Sequence, residues 1–170
     1  MARTIYGAEV YKSPTKEQNY DSNSIGKNSE AITSGDPLTI SSGLLQVGGT
    51  TNTIVGIAVK TATMASDNQT VAAVKPKYVP IDQDTVFLMG TNSDLSATTS
   101  IGVYYKLSAA TTNTVQVDVA SGAQTGSSRV VVCVGVDPQS EGGTGSGSGL
   151  RQGLFKCVKV LNIKSDVTSA

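Results

Sequence analysis

The chain has 170 residues, of which 38% are apolar and 15% charged, and its formal net charge at pH 7 is zero. This size predicts one domain with a core of its own, and the absence of a Lys and Arg cluster argues against a nucleic-acid partner, because neutralised phosphates supply most of that affinity. Serine and threonine replace much of the usual Glu and Lys, which favours sheet over helix. No apolar run approaches the ~20 residues of a membrane-spanning helix, so we expect neither a membrane partner nor a secretory signal.

Residues 1–30 differ from the rest because they carry mixed charges, Asn and Ser, and few aliphatic side chains. No apolar period persists there, so the segment cannot bury enough area to offset its ordering entropy. It nevertheless holds three of the six tyrosines, a residue type common at interfaces. Two interpretations stay open: a disordered leader, or an extended arm that orders against a partner. In the second, the candidate partner-binding residues are Ile5, Tyr6, Val10, Tyr11 and Tyr20.

Three short strands are predicted between Ile32 and Ala58, over residues 38–41, 44–47 and 54–58. Turn-forming residues separate them, above all Gly35-Asp36-Pro37 and Ser42-Gly43, which offer the positive or fixed φ that tight turns require. The whole chain is organised around this stretch, with the arm before it and further strands after it.

The remaining predicted strands cover residues 70–74, 85–89, 101–107, 115–119, 129–136 and 154–163. Two prolines bracket Tyr78 and Val79, so that piece is predicted to be an edge or crossing segment. In 115–119 the valines should face a core, and Gln116 and Asp118 should face water. The Gly/Ser-rich residues 137–149 are predicted to form a long exposed hairpin loop. The fold class is therefore all-β, a small barrel or sandwich over residues 31–170 with an arm over 1–30.

Residue patterns typical of catalysis are mostly absent from the sequence. The chain has no histidine, so the commonest general base is missing. Cys133 and Cys157 fall in strands that could pair; they are either two small buried hydrophobes or a disulfide, and alone they make no zinc site. Asp82 and Asp84 lack the spacing of a calcium loop, which favours solvated turn carboxylates. We predict no catalytic residue, metal, cofactor or small-molecule substrate, although spacing in sequence leaves an enzyme of unrecognised type open.

Four short motifs resemble the capsid cement (decoration) proteins of tailed bacteriophages. They lie between Ile32 and Leu107 and are a G-D-x-hydrophobic turn at Gly35-Asp36-Pro37-Leu38, the strand Val55-Gly56-Ile57-Ala58, the pair Thr70-Val71, and the strand Ile101-Gly102-Val103-Tyr104. The resemblance implies a β-barrel of the tulip or lambda-decoration type, commonly trimeric, at three-fold positions of an expanded capsid. It also implies an N-terminal arm that reaches onto the major capsid protein.

The expected function is accordingly to bind the outer surface of a phage capsid and to stabilise the lattice by bridging major capsid protein subunits, as a homotrimer in the virion, assembled in the host cytoplasm. A cement protein needs contact area and no reaction chemistry, which suits the residues found above. The alternative is a virion spike, fibre or adhesin module that binds host-surface glycan. The low aromatic content and the absence of Trp argue against that alternative, since stacked aromatic rings usually grip sugars.

Overall fold

The computed structural model of the protein describes residues 8–12, 20–21, 24–50, 53–95, 99–108, 115–136 and 151–160. These residues form an all-β structure with one turn of π-type helix over Asn68–Ala72 and one 3-10 turn over Gly126–Ser128. In chain order the strands are β1 Ala8–Lys12, β2 Tyr20–Asp21, β3 Ala31–Ile32, β4 Pro37–Ser41, β5 Leu44–Val47, β6 Gly56–Ala58, β7 Ala62–Thr63, β8 Lys77–Pro80, β9 Val86–Thr91, β10 Tyr104–Leu107, β11 Val117–Asp118, β12 Val131–Val136 and β13 Arg151–Cys157.

The larger sheet is built around β9, which pairs antiparallel with β1 along one edge and with β13 along the other. From β13 the antiparallel pairings continue to β12, then to β10 and then to β11. β11 returns to β9 in parallel through the register pair Val117 and Thr91. The pairings therefore form a closed circuit of five strands, with β1 added on β9. The all-β prediction is confirmed; the finer β-tulip barrel stays a prediction.

A second sheet has the strand order β2-β8-β6-β4-β5, and β3 pairs with β7 as a separate ribbon. The hairpin between β4 and β5 turns through Ser42 and Gly43, whose φ values are 51° and 76°. Two consecutive left-handed residues are what a type I′ hairpin turn requires, and that turn matches the twist of the strands it joins. The predicted strands 38–41 and 44–47 and the turn between them are thus confirmed.

Two hydrophobic clusters meet at β6. Ile54 and Ile57 pack into the first cluster, which belongs mainly to the larger sheet, while Val55 and Ala58 pack into the second. The other buried members of the first are Ala8, Ile81, Phe87, Met89, Tyr105, Leu107, Val115, Val117, Val130, Val131, Cys133, Phe155 and Cys157. Those of the second are Ile32, Leu38, Leu45, Met64 and Tyr78. The segment 54–58 therefore joins both cores, as expected of the stretch around which the chain is organised.

Two pieces of the predicted N-terminal arm belong to the sheets of the same chain. β1 aligns Ala8 with Met89 of β9, and the backbone amide of Ala8 also donates to the carbonyl of Gly35 at 2.7 Å. β2 aligns Tyr20 with Tyr78 of β8. Backbone hydrogen bonds to β9 and β8 stabilise these segments, and such bonds leave no apolar period in the sequence. The rest of residues 1–23 lies outside the described residues, as does the predicted hairpin loop 137–149.

Four further predictions are corrected. The strand predicted over 101–107 covers only Tyr104–Leu107, because Ile101 and Gly102 lie in a turn in which Gly102 has a φ of 82°. Residues 70–74 are not a strand, because Asn68–Ala72 forms a π-type turn. β8 lies between β2 and β6, so the proline-bracketed segment is not an edge. Asp118 does not face water: its exposed fraction is 9%, because its carboxylate serves a hydrogen-bond network that reaches β9.

Both cysteines are buried free thiols on the paired strands β12 and β13, which confirms the predicted pairing of those strands. Cys133 lies opposite Phe155 and Cys157 opposite Val131, so neither thiol faces the other directly. Burial raises the pKa of Cys157 to about 12. The two side chains act as small buried hydrophobes.

Gly56 is the position where the fold tolerates a side chain least. A Cβ there would lie 2.2 Å from Cδ2 of Tyr78 and 2.5 Å from the carbonyl oxygen of Val79. The backbone atom cannot move without disturbing the pairing of β6 with β8. We expect Gly56→Ala to lower the free energy of unfolding by about 3 kcal/mol or more. In Gly135→Ala the nearest atom is the flexible Leu154 side chain at 3.3 Å, so the loss should stay below about 1 kcal/mol. Urea unfolding of both variants checks this, and equal losses would contradict it.

Candidate interaction site

Asp36, from the turn that carries the family resemblance, is buried with an exposed fraction of 3%. Its Oδ2 accepts a hydrogen bond from the backbone amide of Thr33 at 2.7 Å. Burial raises the pKa of Asp36 above its ordinary value; the backbone amides of Thr33 and Val115 oppose that rise, and the charge of Glu30 adds to it. Among the described residues, no group makes a hydrogen bond of ordinary geometry with Oδ1 of Asp36. The backbone amide of Val115 is nevertheless near enough to lower the pKa of the carboxyl group. The carboxylate therefore stabilises the turn between Thr33 and Asp36.

Asp118 performs the same service where β11 returns to β9. Its Oδ1 accepts from Nδ2 of Asn92 at 2.7 Å and from the backbone amide of Ser121 at 3.1 Å. Its Oδ2 accepts from the Ser121 hydroxyl at 2.6 Å and lies 3.5 Å from Nζ of Lys106. Burial alone would raise the pKa of Asp118, but these hydrogen bonds and the Lys106 charge outweigh it, so the pKa lies below its ordinary value. The ionised carboxylate is therefore the form that the fold stabilises.

The outer edge of β5 is covered by residues of the same chain. The amide of Leu45 donates to the carbonyl of Ile25, and the carbonyl of Leu45 accepts from the amide of Lys27, both at 2.9 Å. Oε1 of Glu30 accepts from the amide of Val47, also at 2.9 Å. Exposed strand edges invite pairing with other chains. The bonds at Leu45 and Val47 close this edge to such pairing.

The acidic pair considered for calcium forms a turn instead. Oδ1 of Asp82 accepts from the backbone amides of Asp84 and Thr85 and from the Thr85 hydroxyl. Within the described ranges, no cluster of three His, Cys, Asp or Glu side chains could hold a metal ion. Of the helical turns in the same ranges, none has the length and apolarity to cross a bilayer.

The structure distributes the predicted arm residues over different places. Ile5 and Tyr6 lie outside the described residues. Val10 and Tyr11 fall in β1 on β9, and Tyr20 falls in β2 on the other sheet. These backbone positions do not bring the five residues together on one strand, and a role for them in binding stays a prediction.

The most exposed apolar side chain of the described residues lies where a strand was predicted. We call residues 68–74 the valine turn. Val71 has an exposed fraction of 74% and Val74 one of 39%, and the two alanines between them are exposed as well. Valines this exposed contribute little to a core, so hydrogen bonds rather than core packing shape the turn.

Asn68 determines the shape of the valine turn. Its side chain is fully buried; Nδ2 donates to the carbonyls of Gly26 at 2.8 Å and Val74 at 3.3 Å, and Oδ1 accepts from the amide of Val74 at 2.9 Å. Ala73 ends the turn in the left-handed conformation, with φ 49° and ψ 33°, and donates its amide to the carbonyl of Asn68. The amide of Gln69 donates to Oδ1 of Asn28 at 2.7 Å. One buried amide group thus fixes both ends of an exposed apolar turn to the segment 26–28.

Lysines surround the valine turn. Lys75 follows it directly, and Lys77, two residues on, aligns with Asp21 of β2. Lys27 follows Gly26, and Lys60 follows Val59, whose amide donates to the carbonyl of Lys77. All four lysines are exposed, and Asp67 is the acidic residue that precedes the turn.

Sequence reasoning missed this surface because Thr-Val-Ala-Ala-Val has the composition of a strand. The polar Asp67-Asn68-Gln69 before it was the available signal of a turn.

Comparisons with protein-family models, with curated proteins and with solved structures found no match to this chain.

We expect Asn68→Asp to destabilise the protein by at least about 2 kcal/mol at neutral pH, because the buried donor to Gly26 is lost and a carboxylate is placed against two carbonyl oxygens. The loss should shrink as the pH falls and the carboxyl regains a proton to donate. Gln69→Glu makes the same chemical change at the adjacent exposed position and should leave stability unchanged. Urea unfolding over a range of pH measures both, and a pH-independent or negligible loss in Asn68→Asp would contradict this assignment.

For Asp118, whose folded pKa lies below the ordinary 3.8, the stabilisation is present above pH 3.8 and is lost as the pH falls through the lower folded value. We expect Asp118→Asn to lose about 1–2 kcal/mol at pH 7 and much less at the acid end. Asp84→Asn serves as the control, because the side chain of Asp84 is 80% exposed in its pair with Lys156 and exposed pairs contribute little. Thermal unfolding against pH measures the difference; a loss that persists unchanged in acid would count against the network.

Proposed function

We propose that this chain is a capsid cement (decoration) protein. It binds the outer surface of a phage capsid, bridges neighbouring major capsid protein subunits and works as a homotrimer in the virion, after assembly in the host cytoplasm. Its action is contact area between folded surfaces and involves no chemical step.

The observation that carries this proposal is the pairing of two of the four motif segments with each other. Leu38 of the G-D-x-hydrophobic turn aligns with Gly56 of the V-G-hydrophobic-A strand. The amide of Gly35 donates to the carbonyl of Ala58 at 2.7 Å, and the amide of Ala58 donates to the carbonyl of Asp36 at 2.9 Å. A shared fold requires motif segments of this kind to lie together in one hydrogen-bonded unit. Their pairing supports the interpretation that the resemblance reflects a shared fold.

The use of the buried polar groups gives further support. Asp36, Asn68 and Asp118 each direct their side chains to backbone groups of the same fold. A buried amide or carboxylate committed in this way stabilises turns and strand ends, which a binding scaffold needs. This arrangement fits a protein that acts through its surface.

The N-terminal segment is the proposed grip on neighbouring subunits. β1 is fixed to β9, and Ala8 is fixed to Gly35 of the motif turn. Residues 1–7 precede this anchor and include Ile5 and Tyr6. An extended segment can add backbone hydrogen bonds to a partner sheet while its side chains enter pockets.

The test is binding to shells assembled from the major capsid protein encoded in the same genome. The full chain should co-sediment with the shells and raise the temperature at which they open. A variant without residues 2–7 retains β1 and should unfold at the same temperature, but bind at least about tenfold more weakly. Deletion of residues 1–20 is a poorer test, because it also removes β1 from β9.

Two results would count against this function. A full chain that does not bind the shells contradicts the cement role itself, and saturable binding on a glycan array would favour the adhesin. A shortened chain that binds as well as the full chain contradicts only the role of the first seven residues.

A further inference from the structure

We propose that the valine turn is a second, preformed docking element, which places Val71 in an apolar pocket with an acidic rim on a partner protein. The identity of that partner as the major capsid protein rests on the proposed function. The mode of docking rests on the turn alone.

The first argument is exposure. Single exposed apolar residues are common on protein surfaces and need no explanation. Here four consecutive apolar residues, from Val71 to Val74, are exposed, and Val71 at 74% exceeds the other large exposed hydrophobics, of which Ile101 at 51% is the next. Hydration of this tip is unfavourable, and burial against another protein removes that penalty.

The second argument is preorganisation. The π-type turn is a rare local structure. Ala73 holds a left-handed φ of 49°, which alanine seldom adopts, and the buried Asn68 fixes the turn to Gly26. A local strain that the surrounding structure maintains is characteristic of binding and switch regions. A turn held in one conformation loses little entropy when it binds, so a small apolar tip can contribute measurable affinity.

The third argument is charge. Lys27, Lys60 and Lys75 lie near the turn against Asp67, while Lys77 aligns with Asp21 across the β2–β8 pair; the whole chain has a formal net charge of zero. This local positive surplus disfavours a basic partner and selects one with Asp or Glu around its pocket. The apolar tip and the nearby lysines together predict a partner surface with an apolar pocket and an acidic rim.

A lipid bilayer is the other surface that attracts basic groups beside apolar side chains. Membrane-binding segments rely on Trp, Phe and Leu, which insert a large apolar area. The valine turn offers only two valines and two alanines, which fit a shallow protein pocket better. A protein partner is therefore the occupant that the side chains favour.

The experiment places a photo-crosslinking benzoylphenylalanine at Ala72, beside Val71, in the full chain. A control chain carries the same group at Ile101, the other strongly exposed apolar position. Both are expressed in the cells from which the gene comes, irradiated, and analysed by mass spectrometry of the crosslinked peptides. Position 72 should link to one peptide with apolar residues flanked by Asp or Glu, and Val71→Asp should lower that yield at least about tenfold.

The outcomes separate the two proposals. A crosslinked acidic peptide in the major capsid protein supports both. The same kind of peptide in another protein contradicts the capsid partner; it supports the docking mode only if that protein, once purified, binds the full chain and fails to bind the Val71→Asp variant, and otherwise it contradicts that mode as well. Three results would overturn the docking mode, whether or not the full chain binds shells. The first is no crosslink above the Ile101 control, and the second is a yield that Val71→Asp does not change. The third is co-sedimentation with vesicles of phosphatidylcholine and phosphatidylserine that Val71→Asp abolishes.

Discussion

The structure depends on one constraint: every backbone amide and carbonyl taken out of water needs a hydrogen-bond partner. Strands of two to seven residues leave many such groups at their ends, more than ladders alone can satisfy. This chain meets the need with side chains. Asp36 binds the turn before β4, Glu30 the edge of β5, and Asp118 the turn after β11. These three acidic side chains therefore act within the fold, by pairing with its backbone groups.

The same device shapes the part of the surface that we assign to binding. The side chain of Asn68 makes hydrogen bonds to the backbone of Gly26 and of Val74, and these bonds fix the valine turn. The exposed valines at its tip are therefore not needed for core packing. Near the N-terminus, backbone pairing fixes β1 to β9, so the residues before β1 extend from an anchored strand. Both proposed contacts with a partner thus start from rigid anchors. Rigid anchors lower the entropy lost on binding, and several weak contacts then act together on a repeating lattice.

Local chemistry in the sequence was sufficient for some elements and insufficient for others. Ser42-Gly43 specifies a hairpin turn by conformational preference alone, and the two long apolar runs around residues 137–149 specify the β12–β13 pair. The strand predicted over 70–74 is wrong because its outcome was decided by Asn68 and Gly26, which are 42 positions apart. The position of Asp118 depends likewise on Asn92, 26 residues away. No periodicity reports such contacts, and the partners of β1 and β2 lie even farther along the chain.

The central claim is that the protein works by occupying a shell surface. Its most direct measurement is electron cryo-microscopy of shells incubated with the full chain. The account predicts added density at the three-fold positions, in groups of three copies, each spanning adjacent major capsid protein subunits. Bare three-fold positions at saturating protein, or copies attached as isolated monomers that bridge no subunits, would contradict it.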